Sequence, residues 1–213
     1  MTGFPPTRPP GGLLIAGAAV YTPHLFGDDR GTFLEWFRAD WLAQQTGHRM
    51  DVSQANCVVT KKGAIRGVHL MSTPPGQAKY VTCVDGAVLD VIVDVRVGSP
   101  TFGHWEAVVL DDRERRGVYL AEGLGHALMG LTDSSAVVYL CSTRYGQAPE
   151  IAVDPLDPDL GIGWPSDVEP ILSAKDAGAP SLREARRARL LPRYDECLRH
   201  YEDMRATRLA SSG

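Results

Sequence analysis

The stretch QAKYVTCVDGAVLDVIVDVR, residues 77–96, holds two strand-like runs on either side of the dipeptide Asp85-Gly86. Asp-Gly between alternating apolar residues is the strongest short-range hairpin signal. A two-residue turn there pairs Val84 with Ala87, so Val81 faces Asp90 and Lys79 faces Ile92. Lys79, Val81, Cys83 and Asp90 then share one face, with Lys79 and Asp90 on a diagonal of roughly 7–8 Å. The opposite face, from Tyr80, Thr82 and Val84 to Leu89, Val91 and Val93, is the more apolar. Periodicity therefore leaves two arrangements open. Either a cation and a carboxylate are enclosed together, or they form a surface ion pair worth little.

Outward from this stretch, nearly everything between Val52 and about Tyr145 carries strand signals: GHWEAVVL (103–110), GVYLAEG (117–123), HALMGLT (126–132) and AVVYLCSTRY (136–145). With turn residues and no helix between them, these runs predict an all-β dominated, antiparallel sandwich or barrel of the jelly-roll type. Upstream, LLIAGAAVYT (13–22) reads as a strand and GDDRG (27–31) as a turn. TFLEWF (32–37) predicts a strand with Phe33, Glu35 and Phe37 on one face, and RADWLAQQTG (38–47) a short helix stopped by Gly47. Residues 1–11 are Pro/Gly-rich and expected to be flexible, residues 12–180 to form the β domain, and residues 181–213 a helical tail. In that tail Ser181 and Glu184 form a capping box for LREARRARLL (182–191), which Pro192 ends. A last helix over about 193–208 places Tyr194, Leu198, Tyr201 and Met204 near one face, against the outside of the sheets or a partner.

The 213 residues suit one main domain, and 44% hydrophobic residues suffice for a sizeable core. A net charge of −4 argues against a nucleic-acid-wrapping surface and leaves room for a local basic cleft that takes a phosphorylated ligand. The four cysteines, Cys57, Cys83, Cys141 and Cys197, contain no C-x-x-C pair, which fits a reducing compartment. GGLLIAGAAV lacks the charged flank of a signal peptide, and no segment is long enough to span a bilayer, so the expected location is cytoplasmic.

Six histidines need placing. His24, His48, His104 and His200 fall in turns or helix ends and read as surface residues. His69, in KKGAIRGVHL (61–70), ends a half-buried strand three residues after Arg66, and His126 follows a glycine-rich turn in AEGLGH. For His69 the residues alone leave three roles: metal ligand, general base, or polar core residue.

Several longer stretches occur in a fixed order: FGDDRGTFLE (26–35), QAN (54–56), KGAIRGVH (62–69), PPGQAKYVTCVDGAVLDVIVDVRVGSPTFGHW (74–105), VYLAEGLGHAL (118–128), VVYLCSTRY (137–145), Glu150, GIGWP (161–165) and LSAKDAGAP (172–180). Over about residues 26–182 the chain resembles the dTDP-4-dehydrorhamnose 3,5-epimerase family, and in PPGQAKYVTCV and LREARRARLLPRY its secondary-metabolite deoxysugar branch. The resemblance implies a cupin-type jelly-roll barrel, no cofactor, no metal, and a dTDP-4-keto-6-deoxy sugar as substrate. It also implies a homodimer whose N-terminal strand reaches the neighbour's site; from the charge and the absence of a spanning segment, no nucleic-acid or membrane partner is expected. Position by position it implies His69 as general base, Asp176 as its partner, Tyr139 as proton donor and Lys79 beside the substrate carbonyl. Arg30, Glu35, Gln54, Asn56, Arg66, His126, Tyr145, Glu150 and Lys175 match substrate contacts, and Asp90, from the hairpin argument, orients Lys79. Three positions depart from the family pattern: Leu70 replaces an aromatic residue, His126-Ala127-Leu128 replaces H-G-F, and Leu140 replaces a lysine. They bear on which carbons are epimerised.

The implied chemistry suits these residue types. Hydrogens beside a ketone leave as protons when a base is near and positive charge meets the enolate oxygen. A neutral imidazole oriented by a carboxylate supplies the base, a tyrosine protonated at neutral pH supplies the acid, and arginines suit a diphosphate. Other readings stand beside this one. Within the family there is a monoepimerase acting at C3 or C5 alone. A metal-dependent cupin enzyme would need more imidazoles than RGVHLMS offers. The third is a non-catalytic nucleotide-sugar binder.

Overall fold

In the computed structural model, which describes residues 13–47 and 49–211 (side chains to 207), the strands are β1 (Ala18–Tyr21), β2 (Leu25–Asp28), β3 (Gly31–Leu34), β4 (Gln54–Thr60), β5 (Ile65–Met71), β6 (Lys79–Asp85), β7 (Ala87–Val93), β8 (Trp105–Asp111), β9 (Gly117–Leu120), β10 (Gly125–Gly130), β11 (Ser135–Cys141) and β12 (Glu150–Ala152). The helices are α1 (Ala39–Thr46), between β3 and β4, then α2 (Ala174–Ala177), α3 (Leu182–Arg187) and α4 (Tyr194–Ser211). The expectations for residues 1–11 and for His48 lie outside the described residues.

Two antiparallel sheets face each other, in the orders β1-β9-β6-β11-β4 and β12-β5-β10-β7-β8, and β2 and β3 form a separate hairpin. The sheets are not joined into a closed cylinder, so the sandwich form of the expected jelly roll is the one observed. Between them lies an apolar cluster that includes Val81, Cys83, Val88, Ile92, Val118, Leu120, Leu128 and Val137. The outer faces are covered too. Tyr80, Tyr119 and Ala121 pack with Leu42 of α1 and with Cys197 and Tyr201 of α4. Leu89, Val91 and Val93 pack with Leu182, Ala185 and Leu191 of the C-terminal segment.

The strands on either side of Asp85-Gly86 form as expected but do not pair with each other. β6 bonds to β9 and β11, and β7 bonds to β8 and β10, so the turn is a corner between sheets and the expected hairpin register is wrong. The local chemistry is the same in both cases. Gly86 takes φ +73, and a Cβ there would meet Thr132 Oγ1 at 2.4 Å and Ser134 O at 2.5 Å. What differs is partner choice, set by burial: Val81 and Val88 both enter the core cluster between the sheets, from opposite sheets.

Other boundaries shift for local reasons. The strand expected over 13–22 is confined to Ala18–Tyr21, with Ile15 turned into the core, and the strand expected over 32–37 stops at Leu34. The capping box of Ser181 and Glu184 is present, but α3 ends at Arg187 because the backbone at Arg189 turns left-handed, with φ 58. Leu191 then folds back into the cluster beneath. On α4 the inward residues are Cys197, Tyr201 and Met204, whereas Leu198 is 41% exposed. Among the described residues no helix is long and apolar enough to cross a membrane.

One buried polar knot ties these layers together. Arg96, 1% exposed, donates from Nε and Nη2 to Asp94 at 2.8 Å each, from Nη2 to Ala16 O at 2.9 Å, and lies over the Tyr194 ring. Ser99 and Thr101 hydroxyls also donate to Asp94, at 2.6 and 2.7 Å. Burial alone would raise the Asp94 pKa, but the hydrogen bonds and charge of Arg96 outweigh it and hold the carboxyl below its ordinary range. Removing one member strands the other charge in the interior. Asp94→Ala is therefore expected to cost about 3–5 kcal/mol in urea unfolding; a loss under about 1 kcal/mol, the worth of an exposed pair, would contradict this.

Candidate active site

Alternation decides which side chains enter the space between the sheets. Val68 and Leu70 belong to the outer cluster, so His69 between them turns inward; Ala127 is outward, so His126 is inward. Leu89 and Val91 are outward, which places Asp90 inside with zero exposure. From the facing sheet Val81 and Val137 are core residues, so Lys79, Tyr139 and Cys141 share their inner side. His69 and His126 stand directly opposite one another on β5 and β10, beside an irregularity in the register. Gly67 permits it: a Cβ there would lie 2.4 Å from His126 O.

The inward end of β5 carries a histidine–carboxylate pair. His69 Nε2 lies 2.6 Å from Asp176 Oδ1, and Asp176 is 3% exposed. Ser173 caps α2 and also donates from Oγ to Asp176 Oδ2 at 2.9 Å, so both carboxylate oxygens are engaged. A carboxylate only accepts, so Nε2 carries the proton and the imidazole lone pair sits on Nδ1. Glu150 Oε1 is 3.8 Å from Nδ1, and Glu150 Oε2 pairs with Lys175 Nζ. Burial lowers the His69 pKa below its ordinary value; Asp176 and Glu150 oppose that shift and Lys175 assists it. The imidazole is thereby neutral at neutral pH.

The facing wall supplies a phenol and a lysine amine. Tyr139 on β11 is opposite Val81 on one side and Asn56 on the other. Burial raises its pKa, Arg66 lowering it in part, so the hydroxyl keeps its proton at neutral pH. Lys79 is opposite Cys141; burial lowers its pKa, and the carboxylates of Glu150 and Asp90 oppose that shift through space. Asn56 donates to Cys141 Sγ at 3.6 Å and accepts from Gln54 Nε2 at 2.8 Å.

Not every expected contact converges here. Asp90, expected to orient Lys79, instead accepts from His126 Nε2 at 2.7 Å and acts on the lysine only through space. The hairpin reading failed at this point because the two strands lie in different sheets. Arg66 is exposed, reaching Thr60 Oγ1 and Val59 O at 3.4 Å, yet its charge acts on Tyr139. Tyr145 is 75% exposed, its backbone N–H donating to Gln54. Arg30 and Glu35 lie at the β2–β3 hairpin, where Arg30 pairs with Asp28. Two participants escaped the sequence reading. Ser173, in SAKD, carries the S-x-x-D capping pattern that could have revealed it; Cys141, as the cross-strand neighbour of Lys79, has no local signal. Among the described residues, no group of three or more His, Cys, Asp or Glu side chains is placed to hold a metal ion.

This arrangement offers a neutral base on one wall, a protonated phenol on the other and a lysine beside the phenol, a set suited to moving protons at carbon. Comparison with known proteins points the same way. A family model described as dTDP-4-dehydrorhamnose 3,5-epimerase matches residues 13–184. A dTDP-4-dehydrorhamnose 3,5-epimerase of Mycolicibacterium smegmatis is 53% identical over 193 residues, 91% of this chain and 95% of that one. A dTDP-4-dehydro-6-deoxyglucose 3-epimerase of Streptomyces bikiniensis is 53% identical over 182 residues, 85% and 93% of the two chains. The crystal structure of ChmJ, a 3'-monoepimerase from Streptomyces bikiniensis in complex with dTDP-quinovose, aligns with a TM-score of 0.88 at 50% identity, covering 91% of this chain and 98% of that one. The chain belongs to the dTDP-4-dehydrorhamnose 3,5-epimerase family.

Proposed function

We propose that the protein epimerises a dTDP-4-keto-6-deoxyhexose without a cofactor, inverting C3 at the least, in deoxysugar biosynthesis. Inversion at C3 is common to the 3,5-epimerase and 3-epimerase relatives, which stand at the same 53% identity. The observation that carries the mechanism is that His69 and Tyr139 project into one interior from opposite sheets. His69 Nδ1 takes the proton beside the ketone, and the C–H electron pair moves to O4 as the enolate forms. Lys79 lies against that oxygen and stabilises its charge, in a partly dry space where such a contact is stronger than in water. Tyr139 returns a proton to the opposite face, which inverts the carbon. Gln54, Asn56, Arg66, His126, Tyr145 and Lys175 hold the nucleotide and sugar, with Asp90 positioning His126.

The β2–β3 hairpin supports a homodimer. Phe26 and Phe33 are 53% and 67% exposed there, beside Arg30 and Glu35. We place that hairpin over the neighbour's site, where the arginine meets the nucleotide. A monomer in sedimentation velocity at micromolar concentration would contradict this. The free cysteines, Cys57, Cys83, Cys141 and Cys197, accord with a cytoplasmic setting.

Proton NMR of dTDP-4-keto-6-deoxyglucose in deuterated water tests the activity. Loss of the H3 signal with formation of the epimer is expected, and loss of H5 as well marks a 3,5-epimerase; a spectrum unchanged by the enzyme rejects the reading. The same assay separates the two proton-transfer groups. In Tyr139→Phe, His69 still removes the proton and returns one to the same face after exchange. Deuterium should therefore enter un-inverted substrate while epimer formation falls by about 10²-fold or more, the contribution of a positioned acid. A variant that epimerises as fast as it exchanges would place the acid elsewhere.

A further inference from the structure

We infer that Glu150 is a positioning residue that discharges His69 to solvent, and so sets whether the base is reset between proton abstractions. The inference rests on His69 being the base. Every abstraction leaves a proton on that imidazole. Asp176 already occupies the Nε2–H side at 2.6 Å, so the new proton resides on Nδ1. Glu150 Oε1 is 3.8 Å from that nitrogen. This separation is too long for a hydrogen bond, which leaves the lone pair open to a carbon-bound proton. It is short enough for the carboxylate to attract the imidazolium that follows.

The surrounding geometry favours an outward path. The His69 side chain is 22% exposed, that of Glu150 26% and that of Lys175 50%, so the groups lead from the interior toward water. Lys175 and Asp176 are neighbours on α2; the first holds Glu150 by its other oxygen and the second holds His69. One short helix therefore fixes both flanks of the imidazole. His126, opposite His69, is committed through Nε2 to Asp90 on the interior side, away from the exposed Glu150–Lys175 pair. In the relay, the Nδ1–H bond breaks as an O–H bond forms on Glu150. Solvent water then takes the proton and regenerates the carboxylate.

Without this outlet, the proton on His69 returns to the carbon it left. A substrate inverted at two carbons needs His69 emptied between them, so Glu150 would govern the second inversion most strongly.

The test uses Glu150→Gln, which keeps the side-chain shape and an oxygen for Lys175, and substrate deuterated at C3 in ordinary water. In the native enzyme, deuterium on His69 leaves through Glu150, and un-inverted substrate loses its label. In the variant the label returns to carbon, so the ratio of washout to epimer formation should fall roughly tenfold or more. Steady-state kcat should drop about 10²-fold, the lower bound for a positioned proton-transfer group, and more than the single-turnover rate does. Glu150→Asp should recover part of both, and dTDP affinity should hold. A native washout ratio in Glu150→Gln would overturn the inference, as would a variant changed only in KM, which is what a simple substrate contact predicts. If the native enzyme itself neither washes out label nor epimerises, the proposed function falls together with it; if it does both, only the role of Glu150 is at stake.

Discussion

The bond between His69 Nε2 and Asp176, spanning 107 residues of sequence, is the contact on which the site depends. It draws α2 against β5. It also fixes the imidazole tautomer. A charge-assisted hydrogen bond contributes about 1.5–3 kcal/mol, comparable to the desolvation of a lone polar group, so burying Asp176 needs the further bond from Ser173. The carboxylate is therefore committed on both oxygens, and the histidine on one nitrogen. Only Nδ1 is left to do chemistry.

Burial then separates the acid from the base. The same removal from water that lowers the His69 pKa raises that of Tyr139, since it disfavours the charged form of each. Two titrating groups pushed apart in this way are matched to opposite proton-transfer roles. Lys79 is pushed in the same direction as the histidine, but nearby Glu150 and Asp90 resist the shift. A lysine whose charge is supported by nearby carboxylates in a partly dry space is suited to an enolate that carries charge only while the reaction proceeds.

The strand content, the helix stop at Gly47 and the capping box at Ser181 were legible because each depends on a few adjacent residues. The fate of the Asp85-Gly86 turn was not. A corner and a hairpin use the same glycine, and only the burial of Val81 and Val88 in the core between the two sheets distinguishes them. Periodicity could not name the inner face of β6, because helices cover its outer face and both sides are apolar. Lys79 and Asp90 do point into the same interior, but from opposing sheets, so Asp90 reaches His126 instead. His69, Asp176 and Tyr139 could be named only through family resemblance; nothing local announces a contact across 107 residues. The Glu150–Lys175 pair was invisible for the same reason.

Proton transfer here depends on the protonation state of one imidazole, which nitrogen NMR reads directly. In enzyme labelled with ¹⁵N-histidine, the His69 resonances among the six histidines are identified by their loss in His69→Gln. At pH 7 the ring is expected to be neutral, protonated at Nε2 and bare at Nδ1, and to titrate below the ordinary histidine value. A ring protonated at Nδ1, or an imidazolium at pH 7, would contradict this.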